Sequence, residues 1–367
     1  MTLPVWLQGI LRCVFLVIRS ISPGIQQRRM TGAMTVMNIA TIGTGSIVEA
    51  ILSAIGELDG VTSTAIYSRS REKAQWLADK YEIESIYTDL NELFCDSNVD
   101  LIYIASPNSL HYEQAVQAIQ HGKHVVCEKP FTSNLREAES LIALAKEKQV
   151  LLFEAISNIH LPNMKFIQEQ LSKLGQIRMI QCNYSQYSRK YDDLLAGQTP
   201  NVFNPEFSGG ALMDINIYNL HLVMHLFGRP DTISYTANRH ENGIDTSGIA
   251  VLKYPHFIAE CVGSKDTRGM NFVLIQGEKG YLHVAEGANG CREIKLQIGT
   301  EEVRTYNVQN KANWLYYEWE VFEEIYDAED YKRCYELLEH SLSVMQVLTE
   351  ARKDAGIVFS ADTARQC

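Results

Sequence analysis

What the chain lacks narrows it first. Its eight cysteines, at positions 13, 95, 127, 182, 261, 291, 334 and 367, include no C-x2-C pair. That excludes the usual spacing of a zinc site and a dense disulfide framework, so no metal, reduced thiols and a cytoplasmic setting are expected. A surplus of basic charge is also missing: 33 Lys plus Arg stand against 44 Asp plus Glu, a formal charge of −11. A row of phosphates would meet nothing to neutralise it, which excludes a general nucleic-acid binder. The apolar run from Cys13 to Ile18 is too short for a bilayer, which needs about 20 residues, so no membrane partner is expected. Internal repeats and low-complexity segments are absent as well.

Acidic residues are missing from Met1 to Met37, where Arg12, Arg19, Arg28 and Arg29 carry the charge. A targeting peptide has this composition, but no small-residue cleavage site follows, and the apolar stretch precedes the Arg28-Arg29 pair instead of following it. Residues 1–36 are therefore expected to be a leader without chemistry: a tag, a targeting segment or an extended start, with Met30, Met34 or Met37 as the beginning proper.

What is present reads as an ordinary soluble globular protein, 46% apolar and 21% charged. At 367 residues it is long for one core, and two domains sharing a cleft are expected. From Asn38 to Ala155, short apolar runs alternate with helical stretches. Val99 to Ala105 is nearly continuous in its apolarity, as a strand covered on both faces must be. Such alternation predicts parallel pairing through right-handed crossovers, an α/β doubly wound Rossmann domain over residues 37–157. Beyond it, a helix near 163–174 and a strand at 177–185 lead into a polar loop, 187–205, and a helix at 211–227. Strand-like runs then follow near 231–238, 247–254, 257–263, 271–276, 281–284 and 302–307 without helices between them. Residues 158–367 should form an α/β substrate domain with an open, mostly antiparallel sheet, closed by helices near 314–327 and 331–353. An uncovered sheet face wants a partner, so a homodimer through that sheet is expected.

Gly43-Thr44-Gly45-Ser46-Ile47 sits where the first strand turns into a helix, so its backbone N–H groups can meet a pyrophosphate. The end of the second strand then decides the cofactor. A site selective for NAD places an acid there to accept from the ribose 2′-hydroxyl. This chain has Ser68-Arg69-Ser70-Arg71, with no acid before Glu72. Hydroxyls with Arg69 and Arg71 suit a 2′-phosphate, so NADP is expected over NAD.

Cys127-Glu128-Lys129-Pro130 falls at the C-terminal end of a parallel strand, the edge where open α/β sheets bind ligands. Together with Gly43-x-Gly45, Ser106-Pro107-Asn108 and His111, and with Gly209-Gly210-Ala211-Leu212-Met213-Asp214 and Tyr218 further on, it resembles the Gfo/Idh/MocA oxidoreductase family. Most of that family carries D-x-G-x-H in the later motif, where Asp214-Ile215-Asn216-Ile217-Tyr218 stands here. The Tyr form resembles the dimeric dihydrodiol dehydrogenase and glucose-fructose oxidoreductase branch, as do Tyr67-Ser68-Arg69-Ser70 and Glu154-Ala155. Where that branch tends to place a Trp and an Arg, this chain has Ser157 and Ile159. The resemblance implies an NADP-dependent dehydrogenase or reductase acting on a sugar, polyol or vicinal diol. It also implies that Ser106, Pro107, Asn108, His111, Glu128 and Lys129 lie at the cofactor.

The residue types suit that chemistry by themselves. Hydride exchange at a carbinol carbon requires a proton to join or leave its oxygen. A Lys partly desolvated beside a positively charged nicotinamide should have a lowered pKa and relay that proton. Asp214 and Tyr218, four apart on a helix, share a face. Lys129 is thus assigned as acid/base, Tyr218 as its partner on the substrate oxygen, and Asp214 as the group orienting substrate or lysine. A dinucleotide-binding regulator without turnover, or a reductase of a non-sugar substrate, is the alternative. His221 and His225, spaced i, i+4, lack the H-E-x-x-H glutamate and a third ligand and read as interior or cleft-lining, with His221 near enough to Tyr218 to reach a substrate. Trp314, Tyr316, Tyr317 and Trp319 read as packing or a subunit contact.

Overall fold

The computed structural model describes residues 36–363. The leader thus lies, but for its last residue, outside the described residues. Six parallel strands, β1 (Met37–Ile42), β2 (Val61–Tyr67), β3 (Ser85–Tyr87), β4 (Leu101–Ile104), β5 (His124–Glu128) and β6 (Leu152–Ala155), lie in the order β3-β2-β1-β4-β5-β6. Their crossovers are α1 (Ser46–Ile55), α2 (Arg71–Tyr81), α3 (Leu90–Cys95), α4 (His111–Gln120) and α5 (Leu135–Lys148). Side chains alternate along each strand, so Ala40, Ile42, Ile102 and Ile104 enter one core while Ile39, Leu101 and Tyr103 enter the other. This two-sided burial is why these strands are apolar throughout. From β1 the chain winds outward both ways, so the crevice beyond β1 and β4 is the topological switch point where ligands bind.

The second half begins with α6 (Pro162–Gln170) and β7 (Ile177–Ser185). The stretch expected as a plain loop contains a seven-residue helix, α7 (Arg189–Leu195), capped by the Ser188 hydroxyl. A five-residue π-helical turn, Leu212–Asn216, then opens into α8 (Ile217–Phe227). Seven more strands complete a sheet: β8 (Thr232–Arg239), β9 (Asp245–Lys253), β10 (Ile258–Ser264), β11 (Phe272–Gly277), β12 (Gly280–Ala285), β13 (Glu293–Ile298) and β14 (Arg304–Tyr306). The order is β14-β13-β12-β11-β7-β10-β9-β8, antiparallel except where β7 and β10 run parallel. β13 was not foreseen, because Glu293, Lys295 and Gln297 lie among polar residues that hide the alternation of Ile294, Leu296 and Ile298.

The last long helices return to the first sheet. α9 (Leu315–Asp327) packs on α1, and α10 (Tyr331–Asp354) on α5 and β6. Trp319, fully buried, sets its ring edge against Tyr103 of β4 at 5.7 Å. The aromatic cluster read from the sequence is therefore mainly packing beneath the site. Among the described residues, those from 37 to 363 form one unit of internal contacts.

Candidate active site

The β1–α1 turn builds one wall of a cleft of about 580 Å³. Gly43 has φ +124, and a Cβ there would stand 2.9 Å from the Ala105 carbonyl oxygen, so only glycine fits the turn. Gly45 caps the ten-residue α1 without any side-chain hydrogen bond, and no atom lies within 4 Å of where its Cβ would be. Free N–H groups at an uncrowded helix start are what a pyrophosphate needs, and the residues present fit one. Thr44, Tyr67, Ser68, Arg69, Ser70 and Lys73 line the next part of the cleft, and Ser106 and Pro107 its other wall. No carboxylate lines it among the described residues. The nearest acid in sequence, Glu72, is exposed and accepts a 2.6 Å bond from the Ser70 hydroxyl outside that wall. This end fits a 2′-phosphate and offers no carboxylate to accept from a bare ribose.

The chemistry converges at the end of β5. Lys129 follows directly on the strand, and its Nζ donates to the Asp214 carbonyl at 2.7 Å and to Asp214 Oδ1 at 3.1 Å. The same ammonium stands 5.0 Å from the centre of the Tyr218 ring, a cation–π contact. Lys265, just after β10, donates to Asp214 Oδ2, so one carboxylate sits between two ammonium groups. Burial alone would raise Asp214, yet the two lysines hold it well below the usual carboxylate range. Burial likewise opposes the charge on Lys129, but Asp214, with Tyr218 and Glu128, outweighs it and holds the ammonium above its ordinary range. The sequence expectation of a lowered lysine pKa rests on desolvation and a coenzyme charge; the carboxylate in contact works in the opposite direction. Tyr218 is pushed up by burial, against the pull of Lys129, and stays a phenol.

Glycines and an asparagine explain how the later motif reaches this point. A Cβ on Gly209 would overlap the Val202 backbone and one on Gly210 the Asp245 carboxylate, so the Gly-Gly pair lets the chain pass under both. Asp245 then accepts from the Leu212 N–H at 2.7 Å and fixes the start of the π-turn. Asn216, where most of the resembled family has Gly, is fully buried and donates to the Cys261 carbonyl at 2.9 Å. The room comes from Gly263 of β10, where a Cβ would lie 2.5 Å from Asn216 Cβ. The departure is thus absorbed by a glycine on a facing strand and leaves Tyr218 in place.

Four residues singled out from the sequence have partners within the fold. His111 is fully buried, its ring nitrogens 3.0 Å from the Pro130 and Ser106 carbonyls. It binds the two wall-forming turns together and does not face the cleft. Arg71 donates to the Ile86 carbonyl at 3.3 Å and leaves the cleft wall to Lys73. Asn108 donates to the Ser208 carbonyl at 2.9 Å, tying the first half of the chain to the loop before the π-turn. His221 is buried against His340, Nδ1 to Nε2 3.0 Å, and Glu154, 3.6 Å, so it does not reach a substrate. Glu128 accepts from the Tyr103 hydroxyl at 2.6 Å and from the Lys129 N–H at 3.2 Å, and burial pushes it up to about 6. Sequence reasoning missed Lys265 and Lys73. Lys73 had a signal, since it lies in the first turn after the helix cap Ser70, close in sequence to Arg69; Lys265 had none.

The cleft end makes a direct prediction. Ser68→Asp puts a carboxylate where the 2′-phosphate would lie, and the KM for NADPH should rise by about 10²-fold while that for NADH falls. Steady-state assays with both coenzymes read it, and an unchanged NADPH preference would remove Ser68 from the site.

Residues 37–156 match the model of the oxidoreductase family with the NAD-binding Rossmann fold, and residues 170–283 match the GFO/IDH/MocA C-terminal domain. An uncharacterized oxidoreductase, YgjR, of Escherichia coli (strain K12) is 36% identical over 90% of this chain and 99% of its own length. The scyllo-inositol 2-dehydrogenase (NADP(+)) IolU of Bacillus subtilis (strain 168) is 35% identical over 89% of this chain and all of its own. Among solved structures, KijD10, a 3-ketoreductase from Actinomadura kijaniata in complex with NADP and TDP-benzene, superposes with a TM-score of 0.78 at 21% identity, covering 87% of this chain and 98% of that one. With both halves matched in order, and with Lys129, Asp214 and Tyr218 brought to one point by the fold, the chain belongs to the GFO/IDH/MocA family of oxidoreductases.

Proposed function

We propose that this protein is an NADP-dependent oxidoreductase that moves a hydride between nicotinamide and a carbinol or carbonyl carbon of a sugar, polyol or vicinal diol. The observation that carries this reading is the meeting of Lys129, Asp214 and Tyr218 at the carboxyl end of β5, beside the cleft. When bound, the nicotinamide supplies or accepts the hydride. Gly43, Thr44, Gly45, Ser46 and Ile47 would hold the pyrophosphate, and Ser68, Arg69, Ser70 and Lys73 the 2′-phosphate. Lys129, an ammonium with two of its three N–H groups on Asp214, keeps the third for the carbonyl oxygen and delivers the proton in reduction. In oxidation it takes that proton back, its base form becoming accessible once a positive charge stands beside it. The Tyr218 phenol donates to the same oxygen.

Measuring NADPH oxidation and NADP reduction against a panel of ketoses, inososes, polyols and cyclic diols tests the reading. Turnover on at least one carbonyl is expected. NADPH binding with turnover on none would favour a dinucleotide-binding regulator.

A homodimer through the second sheet belongs to this reading. Met179, Ile258, Val251 and Ile249 stand on one face of neighbouring strands, each more than a third exposed. A second copy would cover them. Val251→Lys with Ile258→Lys should reduce the mass in light scattering from two chains to one, and a wild type of one chain's mass would refute it. The six free cysteines among the described residues suit a reducing cytoplasm. No helix among the described residues is long and apolar enough to cross a membrane.

A further inference from the structure

Lys265 touches the catalytic carboxylate, but the reaction outlined above gives it no contact with the substrate. Its side chain is only 10% exposed, and its ammonium donates one bond, to Asp214 Oδ2. An ammonium has three N–H groups, and a donor buried without a partner is costly, so a position like this is retained at a cost unless something else fills it. The backbone around it is tightly held. Its N–H donates to the Thr246 carbonyl at 2.9 Å, and its own carbonyl accepts from Ser188 at 2.9 Å. Next to it, the Asp266 carboxylate accepts from the hydroxyls of Thr246 at 2.7 Å, Ser247 at 2.9 Å and Ser264 at 2.8 Å. The backbone that carries Lys265 is therefore fixed, and its ammonium is held on Asp214.

Asp214, 30% exposed, is the more open of the pair. Its two carboxylate oxygens point to different lysines, Oδ1 to Lys129 and Oδ2 to Lys265. A substrate oxygen on Lys129 thus has, one carboxylate width away, a donor and an acceptor side by side. A hydroxyl satisfies both at once, accepting from Lys265 and donating to Asp214. An anion would satisfy Lys265 but be repelled by Asp214, and a methylene would satisfy neither.

We propose that Lys265 and Asp214 form the seat of a hydroxyl on the carbon adjacent to the reacting one, so that the enzyme selects α-hydroxy ketones and vicinal diols over simple ketones and alcohols. This rests on the oxidoreductase reading and narrows its substrate class. Lys265 is then a specificity-determining residue, and Lys129 remains the proton donor.

The test is a cycle of two enzymes and two carbonyls, 2-hydroxycyclohexanone and cyclohexanone, followed by NADPH oxidation. In the wild type, kcat/KM should favour the hydroxy ketone by about 10²-fold, the scale of one hydrogen bond to a charged group together with its unpaired partner. In Lys265→Met the ratio should fall below about tenfold, through a higher KM for the hydroxy ketone with kcat nearly kept. Lys265→Gln, which keeps a donor, should recover part of the ratio, and it carries the same readout if the Met variant is unstable. NADPH affinity should be unchanged in both variants. A ratio that persists in the variants, or a wild type indifferent to the hydroxyl, overturns the assignment while leaving the oxidoreductase reading intact. A wild type that binds NADPH and reduces neither of these carbonyls overturns the assignment, and the oxidoreductase reading falls with it only if the full carbonyl panel also goes unreduced.

Discussion

Lys129→Met should lower kcat by about 10³-fold while NADPH still binds with nearly wild-type affinity. The size follows from what is removed. Positioned general acids contribute about 10² to 10⁴ in rate, and here the ammonium is also the principal positive charge facing the oxygen on which negative charge develops. The selectivity of the effect follows from where the lysine sits. Its Nζ is bonded to Asp214 and lies over Tyr218, while the cleft that fits the dinucleotide is lined by Gly43, Thr44 and the Ser68–Ser70 stretch. Because the interaction is made in the transition state, kcat and kcat/KM should fall together. The variant should also fold, since Asp214 keeps Lys265 as its counter-ion and the methionine fills the volume of the lysine stem. Stopped-flow NADPH binding and steady-state reduction separate the two quantities. Turnover within about tenfold of wild type would mean that another group delivers the proton. Tyr218→Phe in the same assays should cost less, about 10-fold to 10²-fold, because it removes one of two donors and leaves the ring beneath the ammonium.

The first half of the chain was legible because its signals are local. A strand buried on both faces must be apolar throughout, a tight strand–helix turn must be glycine, and the residue after the second strand must suit the ribose it faces. Each can be read within a few positions. The alternation in the second half carried the antiparallel sheet in the same way, except at β13, where partly exposed polar residues mask the inward-facing Ile294, Leu296 and Ile298. What was not legible depends on residues far apart in sequence. Lys265 lies 51 residues from the carboxylate it binds, and nothing around it marks it as functional. The room for Asn216 comes from Gly263, a glycine that by itself looks like an ordinary strand residue. His111 and Arg71 show the converse. Their residue types fit a nucleotide site, but hydrogen bonds to backbone carbonyls turn them into braces for the turns that do the binding. The charge balance on Lys129 depends in the same way on a partner 85 residues away, which works against the desolvation that the local sequence suggests.

That partner provides the second large effect. Asp214→Asn is nearly isosteric and keeps the backbone carbonyl that accepts from Lys129, so the lysine should stay where it is. Its charge state should not. With the carboxylate gone, burial is no longer outweighed, and Lys265 adds like charge across a neutral amide. The pKa of Lys129 should therefore fall. Reduction needs the ammonium, so the alkaline limb of the pH–kcat profile should move to lower pH than in wild type, and on that limb kcat should be lower by about tenfold or more. Stability should change with the opposite pH sense. The folded-state pKa of Asp214 is depressed, so its contribution is present above the unfolded value near 4 and is lost as pH falls through the folded value. The variant should thus melt earlier than wild type at neutral pH, and the gap should narrow as the buffer is made acidic. Thermal melts across that range and a pH–rate profile of the reduction read the two limbs independently. Superimposable pH–rate profiles would show that Asp214 does not govern the proton on Lys129, and the charge arrangement argued for this site would have to be abandoned.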